Sequence, residues 1–402
     1  MSAKLIVAAG ILALCATGAC AGEAYKTQGD CAGFPRVNLQ TAPGTCVGLV
    51  ATKLGFARAV AAIGQDVYVV DMGGWHKGRG RVLRLSDGGR GAPTPLLTGL
   101  DEPNGLAVGP NGTFYVGLLG KIIQFDPAAP DPAGTVRDVV TGLPVDGRHP
   151  LSALAVAADG SLFVNVGSKT DHCEKPNDDA PDPAKPCPET VGDAPRAVIL
   201  HIAPKDTAVD VHGLEPYARG LRNSMALTIL PSGDLVGAVN ARDYIDHADP
   251  ALSDEDLPHD TFDRVVKGAD YGWPYCYDKN LPGPEYPHFD CAAKTAPTFL
   301  LPPHAASLGM LLYRGAALPG LDGKLVLGLH GYRAAGHRLV SLAIDAHGQP
   351  SGDLQDLVSG WDAVKGDHPQ GAPVGIYQAG DGSILIVEDH NGTLLRLTNS
   401  GP

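Results

Sequence analysis

Between Tyr217 and Cys276 the chain collects polar side chains able to do chemistry and separates them with glycines. Arg222 and Asn223 follow Gly220-Leu221 and precede an apolar run, Met225–Leu230. A guanidinium so placed can stabilise negative charge developing on an oxygen, and a carboxamide can hydrogen-bond the same region. Leu235–Asp243 reads as a strand running into a polar turn. The carbonyls of such a turn, here those of Arg242 and Asp243, are ligands that a hard cation accepts. An acidic loop, Asp254–Asp260, comes next, followed by an aromatic corner, Gly272-Trp273-Pro274. Upstream, His149 ends a loop just ahead of the apolar run Leu151–Val156. An imidazole with a pKa of about 6.5 is suited to taking a proton from a hydroxyl. Downstream, His330-Gly-Tyr-Arg333 and Gly336-His-Arg338 bring guanidiniums that form charge-assisted bonds to carboxylates.

Taken together, these segments resemble the glucose/sorbosone dehydrogenase family, β-propellers that use pyrroloquinoline quinone (PQQ) and calcium. The resemblance spans most of residues 50–398 and is strongest between His149 and Cys276. It implies that His149 is the general base and that Arg222 and Asn223 lie beside the quinone carbonyls. It also implies that Arg333 and Arg338 bind the PQQ carboxylates, and that the Arg242 and Asp243 carbonyls hold calcium together with the cofactor. Three positions depart from the usual family pattern. Ala241 stands where a glutamate is common, and Arg338 where a lysine is more usual. The segment Gln370-Gly-Ala-Pro-Val374 lacks the arginine that normally precedes Pro-Val. That missing cation implies weaker PQQ binding or a family member without activity. Asp254–Asp260 reads as a solvated loop or a second, structural ion site. Trp273 reads as a rigid wall or as ordinary packing.

The elements that must carry these residues announce themselves as a repeat. A turn containing Gly is followed by an apolar strand at Gly64–Val70, Pro110–Val116, Ala158–Val164, Pro231–Val236, Leu321–Leu327 and Gly380–Ile386. Asn-Gly and Asp-Gly pairs supply the positive φ that tight hairpins require. Copies spaced at roughly 45 residues or more predict a six-bladed, all-β propeller of four-stranded blades. A pair of β-sandwiches is the competing architecture. The two longest intervals contain Cys173/Cys187 and Cys276/Cys291, so insertions are expected to build a binding face. No Gly-x-Gly-x-x-Gly joins a strand to a helix, which leaves a nicotinamide or flavin Rossmann domain unsupported.

Composition agrees with this picture. The chain has 402 residues, and its 52 Gly and 34 Pro suit many tight turns rather than a helical bundle. A net charge of −13 with no basic run disfavours nucleic acid and anionic membrane surfaces. Residues 1–21 read as a cleavable signal peptide: Lys4, an apolar core Leu5–Ala16, then Ala19-Cys-Ala21. This predicts a secreted or periplasmic protein. The alternative is a lipoprotein anchored at Cys20, the one route to a membrane. Residues 22–48 read as a disulfide-bridged extension and 49–402 as the catalytic propeller. The remaining cysteines fall into local pairs, Cys31/Cys46, Cys173/Cys187 and Cys276/Cys291, which predict three short-loop bridges worth about 3 kcal/mol each.

The reading that follows is a PQQ- and calcium-dependent dehydrogenase acting on an aldose, a sorbosone-like aldehyde sugar or a related polyol. No Cys-x-x-Cys-His is present, so electrons must leave to an external acceptor. Two rivals remain: a lactonase-type calcium hydrolase on the same architecture, and a non-catalytic propeller that binds carbohydrate or protein.

Overall fold

The computed structural model describes residues 25–176, 180–203, 205–361 and 370–401. The expected signal peptide, with Cys15 and Cys20, lies outside the described residues. The described chain winds through six sheets of four or more strands, at residues 57–100, 106–141, 154–219, 226–303, 307–359 and 373–399, antiparallel except where Val209–Asp210 adds in parallel to Arg137–Thr141. These are the blades of a propeller. Helix is nearly absent among the described residues, the longest α-helical piece being the single turn Ile245–Ala248.

Each predicted turn-plus-strand copy is the hairpin into the second strand of a blade. Those strands are Asp66–Asp71, Phe114–Leu118, Leu162–Val166, Leu235–Val239, Lys324–Leu329 and Ile384–Glu388. Every blade is packed on both faces, so side chains of both directions are mostly apolar. In the first blade Val67 and Val69 enter the core shared with the sixth blade, while Tyr68 and Val70 enter the core shared with the second. In the sixth, Leu385 and Val387 face the first blade, and Ile384 and Ile386 face the fifth. The core is therefore a ring of interblade layers rather than a single centre. First strands of successive blades touch around a central channel.

The ring is closed by the two ends of the chain. Thr45–Ala51 pairs antiparallel with Thr393–Asn399, placing Thr45 opposite Asn399 and Leu49 opposite Leu395. Thr27–Cys31 and Phe34–Val37 extend the same sheet, and Gln40–Thr41 joins the outer strand of the fifth blade. The segment read from sequence as an extension is thus woven into two blades. All three predicted disulfides are present, Cys31–Cys46, Cys173–Cys187 and Cys276–Cys291. The second lies in the long excursion between the second and third strands of the third blade. The third belongs to the excursion before the last strand of the fourth blade.

A buried polar latch fixes the closure. The Tyr25 hydroxyl donates to Glu388 Oε2 at 2.5 Å and accepts from Trp361 Nε1 at 2.9 Å. Glu388 is fully buried, and its other oxygen, Oε1, has no hydrogen-bond partner among the described residues. Tyr25→Phe should therefore destabilise the fold by about 1–3 kcal/mol, the cost of stranding a buried polar group. Urea denaturation of both proteins tests this, and equal midpoints would show that the latch contributes nothing.

Candidate active site

The candidate residues gather on one face of the propeller, where first strands begin and second strands end. His149 precedes the first strand of the third blade, Leu154–Val156. Its Nδ1 lies 3.0 Å from the Ser168 carbonyl and 2.9 Å from Ser168 Oγ. A carbonyl can only accept, so Nδ1 carries the proton and Nε2 keeps its lone pair. The Ser168 hydroxyl in turn donates to the Thr170 carbonyl at 2.7 Å. Space for this arrangement depends on Gly167: a Cβ there would lie 2.5 Å from His149 Cβ and 3.0 Å from Asn223 Oδ1. Burial, and next the neighbouring Arg222 charge, lower the imidazole pKa from 6.5 to about 3.

Arg222 enters the first strand of the fourth blade from a tight bend at Gly220 and is 5% exposed. Its Nη2 bonds Asp171 Oδ1, its Nε donates to the Asp171 carbonyl at 2.9 Å, and its Nη1 donates to the Asn240 carbonyl at 3.0 Å. Asp171, also buried, accepts from the backbone N–H of Asp243 at 3.1 Å. Burial pushes its pKa up, but the Arg222 charge and the bonds from His172 and Asp243 outweigh that and hold the carboxyl well below the usual range. Asn223 Oδ1 accepts from Asn165 Nδ2 at 3.2 Å. The backbone of Arg222 also meets that of Ser168, whose N–H donates to the Arg222 carbonyl at 2.8 Å. One network therefore joins His149, Arg222 and Asp243.

It continues through residues that sequence reasoning did not single out. Asp243 Oδ1 lies 3.1 Å from His304 Nδ1, and His304 Nε2 lies 2.6 Å from the Asp254 carbonyl. Asp254 pairs with Arg333 at 2.5 Å. The acidic loop is solvated only in part, with Glu255 and Asp256 exposed. Asp254 is turned inward, and buried Asp260 accepts from the N–H groups of Ala241 and Ala306 at 2.8 and 2.6 Å. Desolvation raises the Asp260 pKa to about 6. Arg338 lies apart from the network, donating to the Ala335 carbonyl and to Asp356 at 3.0 Å. Arg242 turns its guanidinium to Glu285 at 2.6 Å and its Nε to the Asp243 carbonyl at 3.3 Å. An ion held by that carbonyl would use its second lone pair, beside this bond. Trp273 packs against the Cys173–Cys187 bridge, and its Nε1 donates to the Asp171 carbonyl at 3.1 Å.

A second buried charge cluster occupies the other side of the channel mouth. Arg58 donates from Nη1 to Asp389 at 2.7 Å and from Nε to Asn104 Oδ1 at 2.8 Å. His330 Nε2 lies 3.1 Å from both Asp389 oxygens. Sequence reading named His330 only as part of a segment and passed over Arg58, an arginine inside an otherwise apolar strand, Ala57–Ile63. Among the described residues, the side-chain groups able to hold a metal are His330/Asp389/His390 and a Cys173/Cys187/Glu189 set whose sulfurs are already bridged. Neither falls at the Arg242–Asp243 turn.

Comparison with known proteins places this geometry in context. The family model described as Glucose / Sorbosone dehydrogenase matches residues 135–396, well over half the chain. No curated protein sequence matches. Among solved structures, the calcium structure of a Trichoderma reesei protein of Carbohydrate-Active Enzymes Family AA12 superposes with a TM-score of 0.72 at 19% identity, covering 90% of this chain and 97% of that one. The holo form of the pyranose dehydrogenase PQQ domain from Coprinopsis cinerea gives 0.70 at 19% identity, over 92% and 99%. The PQQ-bound aldose sugar dehydrogenase from Streptomyces coelicolor gives 0.60 at 16%, over 89% and 99%. At these identities the structural likeness speaks to the fold.

The state of His149 can be measured directly. Its folded pKa of about 3 lies below the 6.5 of a free imidazole, so between those values the unfolded chain binds the extra proton. Its contribution to stability is thus present above pH 6.5 and is lost as pH falls toward 3. His149→Gln should flatten the fall in urea midpoint between pH 6.5 and 4.5. Nitrogen-15 spectra should show a neutral His149 ring across that interval. A His149 resonance that titrates near 6.5 would contradict the buried, Ser168-bonded imidazole.

Proposed function

The chain belongs to the glucose/sorbosone dehydrogenase family, and on that premise we propose that it is a PQQ- and calcium-dependent dehydrogenase of an aldose, a sorbosone-like aldehyde sugar or a related polyol. The observation that carries the reading is the His149–Ser168–Arg222–Asp171 network. It puts a neutral imidazole with a fixed tautomer beside a buried, permanently charged guanidinium. Bound PQQ would supply a two-electron acceptor for the hydride leaving the sugar carbon.

The chain's own residues supply the rest. His149 Nε2 takes the hydroxyl proton as the C–H bond breaks, while Ser168 keeps the ring from rotating. Arg222 stabilises negative charge on the oxygen that receives electron density, and its pairing with Asp171 fixes the fork before substrate arrives. The donor set fits a tricarboxylate: Arg58, Arg222, Arg333 and His330 stand on the same end of the channel. Arg58 also bears on the cation missing before Pro373. A Cβ on Gly375 would lie 2.9 Å from the Arg58 carbonyl, so Arg58 stands on the strand packed against Pro373–Gln378. Calcium is assigned to the carbonyls of Arg242 and Asp243, with the Asp171 and Asp243 carboxylates close by to favour a hard cation. Electrons then pass to an external acceptor. Each of these arginines already has a resident acid, so it is the dehydrogenase family match that argues against the lactonase rival.

Reconstitution with PQQ and calcium, followed by dye reduction across a panel of sugars, tests the proposal. Turnover is expected with at least one aldose, and chelation should release PQQ together with calcium. His149→Ala should lower the rate by about 10²–10⁴ while quinone binding persists. Near-normal rates in that variant at saturating PQQ would remove His149 from the role of base.

A further inference from the structure

We propose that the hollow beside the Tyr244–His247 ring pair is a carbohydrate subsite, with the Tyr244 ring as the platform on which a pyranose lies. The inference rests on the dehydrogenase reading for the place of this subsite in catalysis, but its physical basis is separate. The hollow is walled by Arg148, His172, Tyr244, His247 and Glu285, and it shares Asp171 and Arg242 with the network above.

Tyr244 is held in the left-handed region, with φ 55 and ψ 42. A residue with a Cβ is strained there, and Gly or Asn would be the expected occupant of such a turn. Core packing does not explain the choice, since the side chain is 48% exposed. The conformation is instead held by the backbone around it. The Tyr244 carbonyl accepts from His247 N–H at 3.2 Å, and Ile245 N–H donates to Asp254 Oδ1 at 3.2 Å. The tyrosine ring stacks on His247, with centroids 5.1 Å apart and planes 20° from parallel. The fold thus spends strain to present a stiffened aromatic face to an open hollow.

The opposite wall supplies hydrogen-bonding groups already set in position. His172 Nδ1 lies 3.2 Å from Asp171 and its Nε2 3.7 Å from Glu285. Arg148 lies 3.6 Å from Glu174 and adjoins His149 in the chain. Acids and bases here neutralise one another, so an ion gains little from entering. A neutral molecule with many hydroxyls can both donate to the carboxylates and accept from the arginines, and its C–H face can cover the tyrosine ring. That is the chemistry of a sugar. The wall runs into the base through Arg148 and into the charged pair through Asp171, so a sugar seated here reaches toward both.

Saturation-transfer NMR on the apoprotein, with D-glucose and cellobiose as probes, tests this without any cofactor. Transfer to sugar ring protons is expected for wild type and for Tyr244→Phe, and a drop of at least five-fold for Tyr244→Ala. Tyr244→Gly should lose the sugar signal while its unfolding midpoint rises, because glycine removes the left-handed constraint. Unchanged transfer in the Ala and Gly variants, or none to either sugar in wild type, overturns the proposal. Dye reduction by reconstituted Tyr244→Ala with an unchanged KM would overturn the subsite and leave the dehydrogenase reading intact. Tyr244-dependent sugar binding by a protein that never reduces dye would do the reverse.

Discussion

The buried ion pair between Arg222 and Asp171 is the constraint on which the site depends. Removing two charges from water is costly, and such a pair persists only when the remaining donors and acceptors are also satisfied. Here they are. Arg222 fills two backbone carbonyls besides the carboxylate, while Asp171 takes the Asp243 N–H and its carbonyl takes Trp273 Nε1. One pair therefore ties the disulfide-stapled excursion of the third blade to the strand ends of the fourth. Loss of either partner would leave a bare buried charge, at a cost of about 3–5 kcal/mol. Burial first, and then the same positive charge, lower the His149 pKa, so the guanidinium helps to keep that imidazole neutral.

The propeller makes such a junction possible because each blade is buried on both faces. A one-residue slip of a strand that is apolar on both sides exchanges its faces without exposing apolar surface, so register must come from turns and loop anchors. That is why the Gly-containing turns were legible. Each one starts the second strand of a blade, and the local φ demand writes itself into the sequence. The closing strand Thr45–Ala51 carried no such mark. Its partner, Thr393–Asn399, is at the other end of the chain, and nothing local to either segment points to the other. The Tyr25–Glu388 latch is hidden for the same reason.

The site divides along the same line. His149, Arg222 and Asn223 were singled out by the family resemblance, helped by their placement near glycines and just ahead of strands. Asp171, Ser168 and His304 were not, since each is a single polar residue in a long excursion whose value lies in its partner. Arg58 is the extreme case: a lone arginine in an alanine- and valine-rich strand reads as an outward-facing charge, yet it is buried against Asp389. The acidic loop, solvated at Glu255 and Asp256, was legible only in part for a related reason. Its carboxylates look like a solvated run in sequence, whereas in the fold Asp254 and Asp260 serve Arg333 and two backbone N–H groups.

The pairing of every central arginine with a resident acid bears on how an anionic ligand would be held. Arg222 has Asp171, Arg333 has Asp254, Arg58 has Asp389 and Arg242 has Glu285. In a chain of net charge −13, uncompensated arginines at one mouth would otherwise be strongly solvated and mobile. Pairing removes that mobility in advance, which is the reorganisation that an electrostatic site must avoid at the moment of reaction. It also means that an incoming carboxylate shares each cation rather than capturing it. A guanidinium has five N–H donors, enough to serve a resident acid and a ligand together, whereas an ammonium bound to an aspartate has fewer to spare and no fixed fork. The preference for arginine at these four buried or half-buried positions follows from that shared duty.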